Sequence, residues 1–458
     1  MIVVGSDHHS FQRVWLLFIA TTLSASLLAL AVGCSVKELT GKFSDASDSS
    51  VTVGSVRYPS DTEAVTLTQM DDKDLAALAE LKQLHTLDVT ALALSADDVD
   101  AIRSRLGSGV DVVWSVPMSG GKLPSSIDKL SFSGAISEDD AHAVRFFTAL
   151  NQFTASDTVI DDALLTAVSY ATQNNPDAEI FCSASVYGVP LDSSTELLDL
   201  NDIYIRSLDP LCKALELFPK LRTVEMCGCG LSNELMQGLR EEYPQVSFVW
   251  TVSFLTYTVR TDIQVFSTLA ADNRRPGNSS NLAPLFRYCT ELRALDLGHM
   301  AINDISEIRN LKHLHTLILA DNYISDISPL ADLKELVYLE LFFNSIKDVS
   351  PLLELPNLLD LNLCYNRHLT NPTVLTGCKK LERLYISNCG LTRDQIASLR
   401  EGIPENCIFN YTCSNAVWHN GWRSEENVRN TKIREAFRNW RMVESYPSWD
   451  NIIYKNND

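Results

Sequence analysis

Few stretches of this 458-residue chain bring chemistry-bearing residue types to a useful spacing. His313 and His315 alternate on one short strand-like stretch, as two ligands on a strand face would, but no third ligand or paired carboxylate stands with them. Cys227 and Cys229 lack a second cysteine pair at zinc-site spacing, so a metal centre is not expected there. No G-x-S-x-G, P-loop or G-x-G-x-x-G context occurs, no cysteine stands in a nucleophile setting, and nothing implies a cofactor. What does recur is a set of aromatic and polar side chains between leucines: Ile318; Tyr338, Glu340, Phe342 and Phe343; Asn362 and Tyr365; Tyr385. If these segments are strands, side chains alternate, so the leucines point inward and most of this set faces out. An exposed column of this makeup, rimmed by Asp296, Glu340 and Asp360, is that of a protein-binding hot spot. Non-catalytic recognition of a protein ligand is the reading carried forward. The same aromatics would also serve as stacking platforms for sugar rings, or pack on one another. A hydrolase needs a carboxylate pair that the sequence does not display.

The elements that position these residues repeat. Leu292, Leu314, Leu336 and Leu358 are 22 apart, Leu381 follows after 23, and each opens the frame L-x-x-L-x-L-x-x-N/C-x-L/I. This is the leucine-rich repeat. A unit so short cannot bury its own apolar face, so it stacks on neighbours and its leucines become one inner column. Asn322, Asn344 and Asn366 are expected to turn their amides onto the backbone of their own turns, with Met300 and Cys389 in the same slot of the outer copies. The return segments, Ile324–Leu330 and Ile346–Leu352, carry Pro329 and Pro351 and predict short helical or extended connections. The stretch resembles the 22-residue repeats of internalin-type bacterial surface proteins. The expected fold is α/β, a leucine-rich-repeat solenoid with a parallel sheet on its concave face and short helices and turns on its convex face. Its N-terminal half is irregular and its C-terminal half regular.

The irregular half, residues 56–250, has its own period. SADDVDAIRSRLGSGVDVVW (95–114), SNELMQGLREEYPQVSFVW (232–250) and TRDQIASLREGIPENCIFN (392–410) each start at a Ser or Thr N-cap, run as a helix and end in a strand. A weaker copy spans 162–182, so that Trp114, Cys182 and Trp250 fall 68 apart twice, close to three solenoid turns. Residues 251–291 read as a connecting unit, its copy lengthened by the regular repeats of 292–413. Longer loops at 119–126 and 272–281 are expected on one face, as binding loops or as tolerated decoration.

Lys and Arg number 38 against 58 Asp and Glu, a formal net charge of -20 that argues against nucleic acid and against docking on anionic lipid. After Arg13 come 20 uncharged residues ending before Cys34. Ala31-Val32-Gly33-Cys34 resembles the bacterial lipobox, whose cysteine is lipidated, although Ala31 stands where leucine is preferred. Residues 1–33 then form a signal peptide or an uncleaved membrane anchor, and residues 34–55, rich in Ser and Asp, a tether. Simple secretion is the third option. All three place the mature chain outside the cytoplasm, and two hold it to a membrane by the lipid on Cys34 or by the apolar segment. The triplet Asp7-His8-His9 matches the DHH of phosphoesterases, but precedes the apolar segment without a strand before it, and reads as chance. Ten cysteines remain beyond Cys34; an exported chain permits disulfides, but Cys229 and Cys389 in repeat slots favour buried thiols.

Residues 414–458 hold four of the seven tryptophans and predict a helix over 424–443, with Val428, Ile433, Phe437 and Trp440 on one stripe and the arginines elsewhere. A solenoid end exposes its column, so a C-terminal cap is expected, or else a partner-docking arm. The ending NGWRSEENVRNTKIREAF after a CGL repeat resembles the close of a family of leucine-rich-repeat surface proteins from Gram-positive gut bacteria, which implies no established activity.

Overall fold

A computed structural model describes residues 50–268, 282–412, 422–423 and 428–439. The predicted N-terminal anchor, Cys34, the 272–281 loop and Trp440 lie outside the described residues. The chain divides into two compact units, one ending at Trp114 and the other beginning at Ser115.

The first unit opens with an antiparallel hairpin, β1 (Ser50–Val53) and β2 (Val56–Pro59). The tether expected over residues 34–55 does not hold for 50–55, which belong to this hairpin, while 34–49 lie outside the described residues: Val51, Val53 and the Gly54 turn have the chemistry of a hairpin, and Val53 is buried. Three parallel strands follow, β3 (Ala64–Thr66), β4 (Thr86–Asp88) and β5 (Asp111–Val113), linked by helices α1 (Asp72–Leu78) and α2 (Ala96–Leu106).

The second unit repeats that plan. Hairpin β6 (Ser115–Met118) and β7 (Gly121–Pro124) precedes the parallel strands β8 (Lys129–Ser133), β9 (Gln152–Val159) and β10 (Glu179–Val186), with α3 (Glu138–Ala143) and α4 (Asp162–Asn174) between them. The end of β10 turns back with β11 (Val189–Asp192). Next come β12 (Leu197–Asp199), β13 (Thr223–Glu225) and β14 (Ser247–Val249), with α5 (Asp209–Leu217) and α6 (Asn233–Glu242), and then the hairpin β15 (Thr251–Phe254) and β16 (Tyr257–Arg260). The 68-residue period is thus three parallel turns plus one hairpin, the hairpins starting at Ser115, Ser183 and Thr251. Residues 119–126, expected as a loop, contain the returning strand β7. Cys182 and Trp250 are buried at the ends of their turns; Trp250 donates from its indole to Asn233 Oδ1 at 2.9 Å and lies under the Arg240 guanidinium.

After the last hairpin comes a separate sheet of seven parallel strands: β17 (Val265–Ser267), β18 (Ala294–Asp296), β19 (Thr316–Ile318), β20 (Tyr338–Glu340), β21 (Asp360–Asn362), β22 (Arg383–Tyr385) and β23 (Ile408–Asn410). Helix α7 (Ala283–Tyr288) lies between β17 and β18, and α8 (Arg393–Gly402) between β22 and β23; single 3-10 turns, two of them opened by Pro329 and Pro351, make the other returns. Leu295, Leu317, Leu339, Leu361 and Leu384 are fully buried in the inner column.

The asparagine slot holds the turns together as expected. Asn322 donates to the carbonyls of Leu297 and Leu319 and accepts from the N–H of Ile302; Asn344 and Asn366 repeat the pattern one turn on. Cys229 and Cys389 donate their one S–H mainly to Leu200 O and Leu363 O, each at 3.1 Å, with Cys227 O and Ser387 O as more distant second acceptors. Gly390 follows Cys389 at φ +74, where a Cβ would meet Arg367 O at 2.7 Å, so the C-G-L sequence is a backbone requirement. All nine described cysteines are free thiols.

The described residues of the tail, Trp422, Arg423 and 428–439, lie on the face of the seven-stranded sheet opposite the leucine column. Helix α9 (Val428–Asn439) packs against β17. Its inward stripe is Arg429, Ile433 and Phe437, whereas Val428 is exposed, so the predicted stripe is displaced by one residue at its start.

A closed concave face and an open aromatic rim

Side-chain alternation places Asp296, Ile318, Tyr338, Glu340, Asp360, Asn362, Arg383 and Tyr385 on the face opposite the leucine column, as the frame requires. They are not exposed. Tyr338, Glu340, Asp360 and Asn362 have no accessible surface, and Ile318, Phe342 and Tyr385 keep at most 8%. The expected open column is therefore corrected: Trp422, Arg423 and α9 cover it.

The closure is chemically specific. The Trp422 ring lies 5.3 Å from Tyr338 and 5.1 Å from Tyr385, centroid to centroid, with the Arg383 guanidinium 4.4 Å from its own centroid. Its indole N–H donates to Glu340 Oε1 at 2.6 Å, the oxygen that also accepts from Tyr338 Oη at 2.6 Å. Arg423 forks onto both oxygens of Glu340, and Asn430 donates to Tyr338 Oη. Asp360 accepts from Arg383 at 2.8 Å through one oxygen and from Arg429 at 2.7 Å through the other; Arg429 also reaches Glu382. Burial pushes the Glu340 carboxyl up, but Arg423, with the hydrogen bonds of Tyr338 and Trp422, outweighs it and holds the group below the ordinary glutamate range. Asp296 lacks such a partner. Burial raises it to about 6 despite the Gly298 N–H at 3.0 Å, and the nearby Glu340 charge adds to the rise.

The strand exits are different. Tyr323 is 59% and Phe343 48% exposed, and Tyr365 is half-buried. Phe343 and Tyr365 stack with centroids 4.9 Å apart. Both lie in the left-handed region, φ 59° and 62°, as do His299, Asp321 and Asn388 at the same repeat position. Bulky residues reach that region only when their surroundings over-determine it. Here the N–H of each of the first four donates into the next turn: His299 to Ala320 O, Asp321 to Phe342 O, Phe343 to Cys364 O and Tyr365 to Ser387 O. A rigid row of side chains results, aromatic at its centre and with a His299–Asp321 pair at 2.7 Å on its N-terminal side. Positive φ at these positions left no mark in the sequence beyond the period itself.

His313 and His315 both approach Glu335, at 3.3 and 3.7 Å, and His315 also bonds His313 O. Among the described residues no group of three or more His, Cys, Asp or Glu is placed to hold a metal ion, and no helix is long and apolar enough to cross a membrane.

The parallel ladder, the inner leucine column and the asparagine rungs define a leucine-rich-repeat solenoid. Residues 290–332 match the family model for leucine rich repeats in two copies. Similar solved structures include an internalin (inlF) from Listeria monocytogenes, at 19% identity over 70% of this chain and 89% of that chain, TM-score 0.27. An internalin C2 from the same organism has 17% identity, 58% and 85% coverage, and TM-score 0.25. A leucine-rich-repeat protein of Leptospira interrogans has 13% identity, 76% coverage of each chain, and TM-score 0.22. Comparison with curated proteins gives no match.

Proposed function

We propose that this chain is a non-catalytic binding module, held outside the cytoplasm through a lipid on Cys34 or the apolar segment before it. It recognises a protein ligand along the strand exits of the regular repeats. The observation that carries this reading is the exposure of Tyr323 and Phe343 at the strand exits, the Phe343 ring being held by the sheet backbone and stacked on Tyr365. Large exposed aromatics on a rigid backbone give contact area at small entropic cost, which is the makeup of interface anchors. The concave residues first expected to contact the ligand are engaged by the chain's own tail, so Phe343 and Tyr365 become the contact residues of this reading.

The test is capture of surface proteins from bacterial and epithelial extracts by the chain from Ser35 onward, beside Phe343→Asp. The expected result is a captured protein that the variant loses by at least about tenfold, since an anchor residue contributes roughly 1.4 kcal/mol or more. Equal capture by a folded Phe343→Asp chain overturns the assignment. Retention on a glycan panel, lost in Tyr365→Ala, would instead make sugar the ligand class.

A further inference from the structure

The tail and the face beneath it differ in kind from the rest of the fold. Along each strand the residue between two face-directed ones belongs to the leucine column, so that column is sealed whether or not the tail is in place: Leu339 is buried on the far side of the sheet from Tyr338 and Glu340. Lifting the tail would uncover Tyr338, Phe342 and Tyr385 among the carboxylates of Asp296, Glu340, Asp360 and Glu382, with Arg383 the one cation these strands add. The segment seated there has the opposite character. It presents Trp422 and Arg423 to Glu340, and Arg429 to Asp360 and Glu382. Complementary charge and ring-on-ring contact are the features of a peptide in a binding site. The fit is also incompletely satisfied: Thr316 Oγ1, Asn362 Nδ2, Arg383 Nη2 and Arg429 Nε are buried with no hydrogen-bond partner among the described residues. Buried charges and unpaired polar groups regain water when the face opens, which offsets much of what the contacts contribute.

We propose that the concave face is a receptor site for a basic peptide bearing adjacent tryptophan and arginine side chains. Trp422, Arg423 and the helix from Val428 fill this site in cis, and a partner's peptide of the same chemistry competes with them. The site is distinct from the aromatic rim, and the tail acts as its built-in competitor.

The probe is a fluorescent synthetic peptide of residues 420–440, added to the full chain and to its Arg423→Glu variant, in which the cis tail meets Glu340 with like charge. The expected result is that the variant binds the peptide at least about tenfold more tightly than the wild type does. Binding should weaken as salt is raised and be lost for a peptide carrying Trp422→Ala and Arg423→Ala. A folded Arg423→Glu chain that takes up no more peptide than the wild type overturns the proposal. Amide hydrogen exchange on the wild-type chain guards against a variant that fails to fold. The amides of α9 should exchange at least about tenfold faster than those of β18 to β21, and faster again with peptide present. Equal protection of tail and strands means that the tail is an integral part of the fold, and the proposal falls.

Discussion

Asp296 and Glu340 occupy the same face two strands apart and differ by what reaches them. Glu340 has an arginine fork, an indole and a phenol; Asp296 has the Gly298 N–H, a long bond from the Ser267 hydroxyl at 3.4 Å and only distant cations. A carboxyl raised from 3.8 to about 6 binds more protons folded than unfolded between those values, so it costs stability as pH rises through that window. Asp296→Asn keeps an acceptor for the Gly298 N–H and removes the cost. The expected gain is about 3 kcal/mol at pH 7 and under about 1 kcal/mol at pH 4, read by urea unfolding at the two pH values. Glu340 runs the other way: its folded value is depressed, so its contribution is present above the ordinary glutamate range and lost as pH falls through the folded value. Phe342 and Phe343 show how one position changes the outcome. Phe342, at 8% exposure beneath Arg423, stands beside Glu340, so Phe342→Asp should destabilise by about 3 kcal/mol or more through a buried, poorly paired charge, and is no clean probe of binding. Phe343→Asp should stay within about 1 kcal/mol of wild type, checked by the same unfolding measurement.

At the scale of the element, the asparagine rungs carry a measurable share of the solenoid. Asn366 is buried and makes two donor bonds and one acceptor bond across two turns. Asn366→Ala should cost about 3 kcal/mol, and Asn366→Cys less, because Cys389 shows that a thiol in this slot keeps one donor bond; chemical denaturation of both variants checks the order. Rungs and helix starts were readable because each depends on neighbours close in sequence. Ser95, Ser232 and Thr392 cap their helices through the N–H three residues on. The hairpins were not readable as such. In SFVWTV the ladder strand ends at Val249, Trp250 turns inward, and Thr251 begins an antiparallel strand, so one β-branched run serves two sheets. Nor was the covered face: Trp422 and Glu340 are 82 residues apart, no period relates them, and the pattern marking outward residues cannot tell solvent from a tail.

Across the whole molecule the thiols report on packing. Cys182, Cys229, Cys289, Cys364, Cys378 and Cys389 are buried, and burial pushes Cys182 up to about 11 and Cys389 to about 12. All six should resist a thiol reagent at pH 8 and react together on unfolding in denaturant, which a reagent titration counts directly. The closed face also has a consequence for synthesis. Neighbouring turns contact one another over some 22 residues, so each can dock as soon as it leaves the ribosome or translocon. The Trp-Arg segment emerges only after every strand of the sheet. The nascent solenoid therefore passes through an interval in which its acidic, aromatic surface is complete and still vacant, and whatever basic segment is nearby can reach it before the chain's own does.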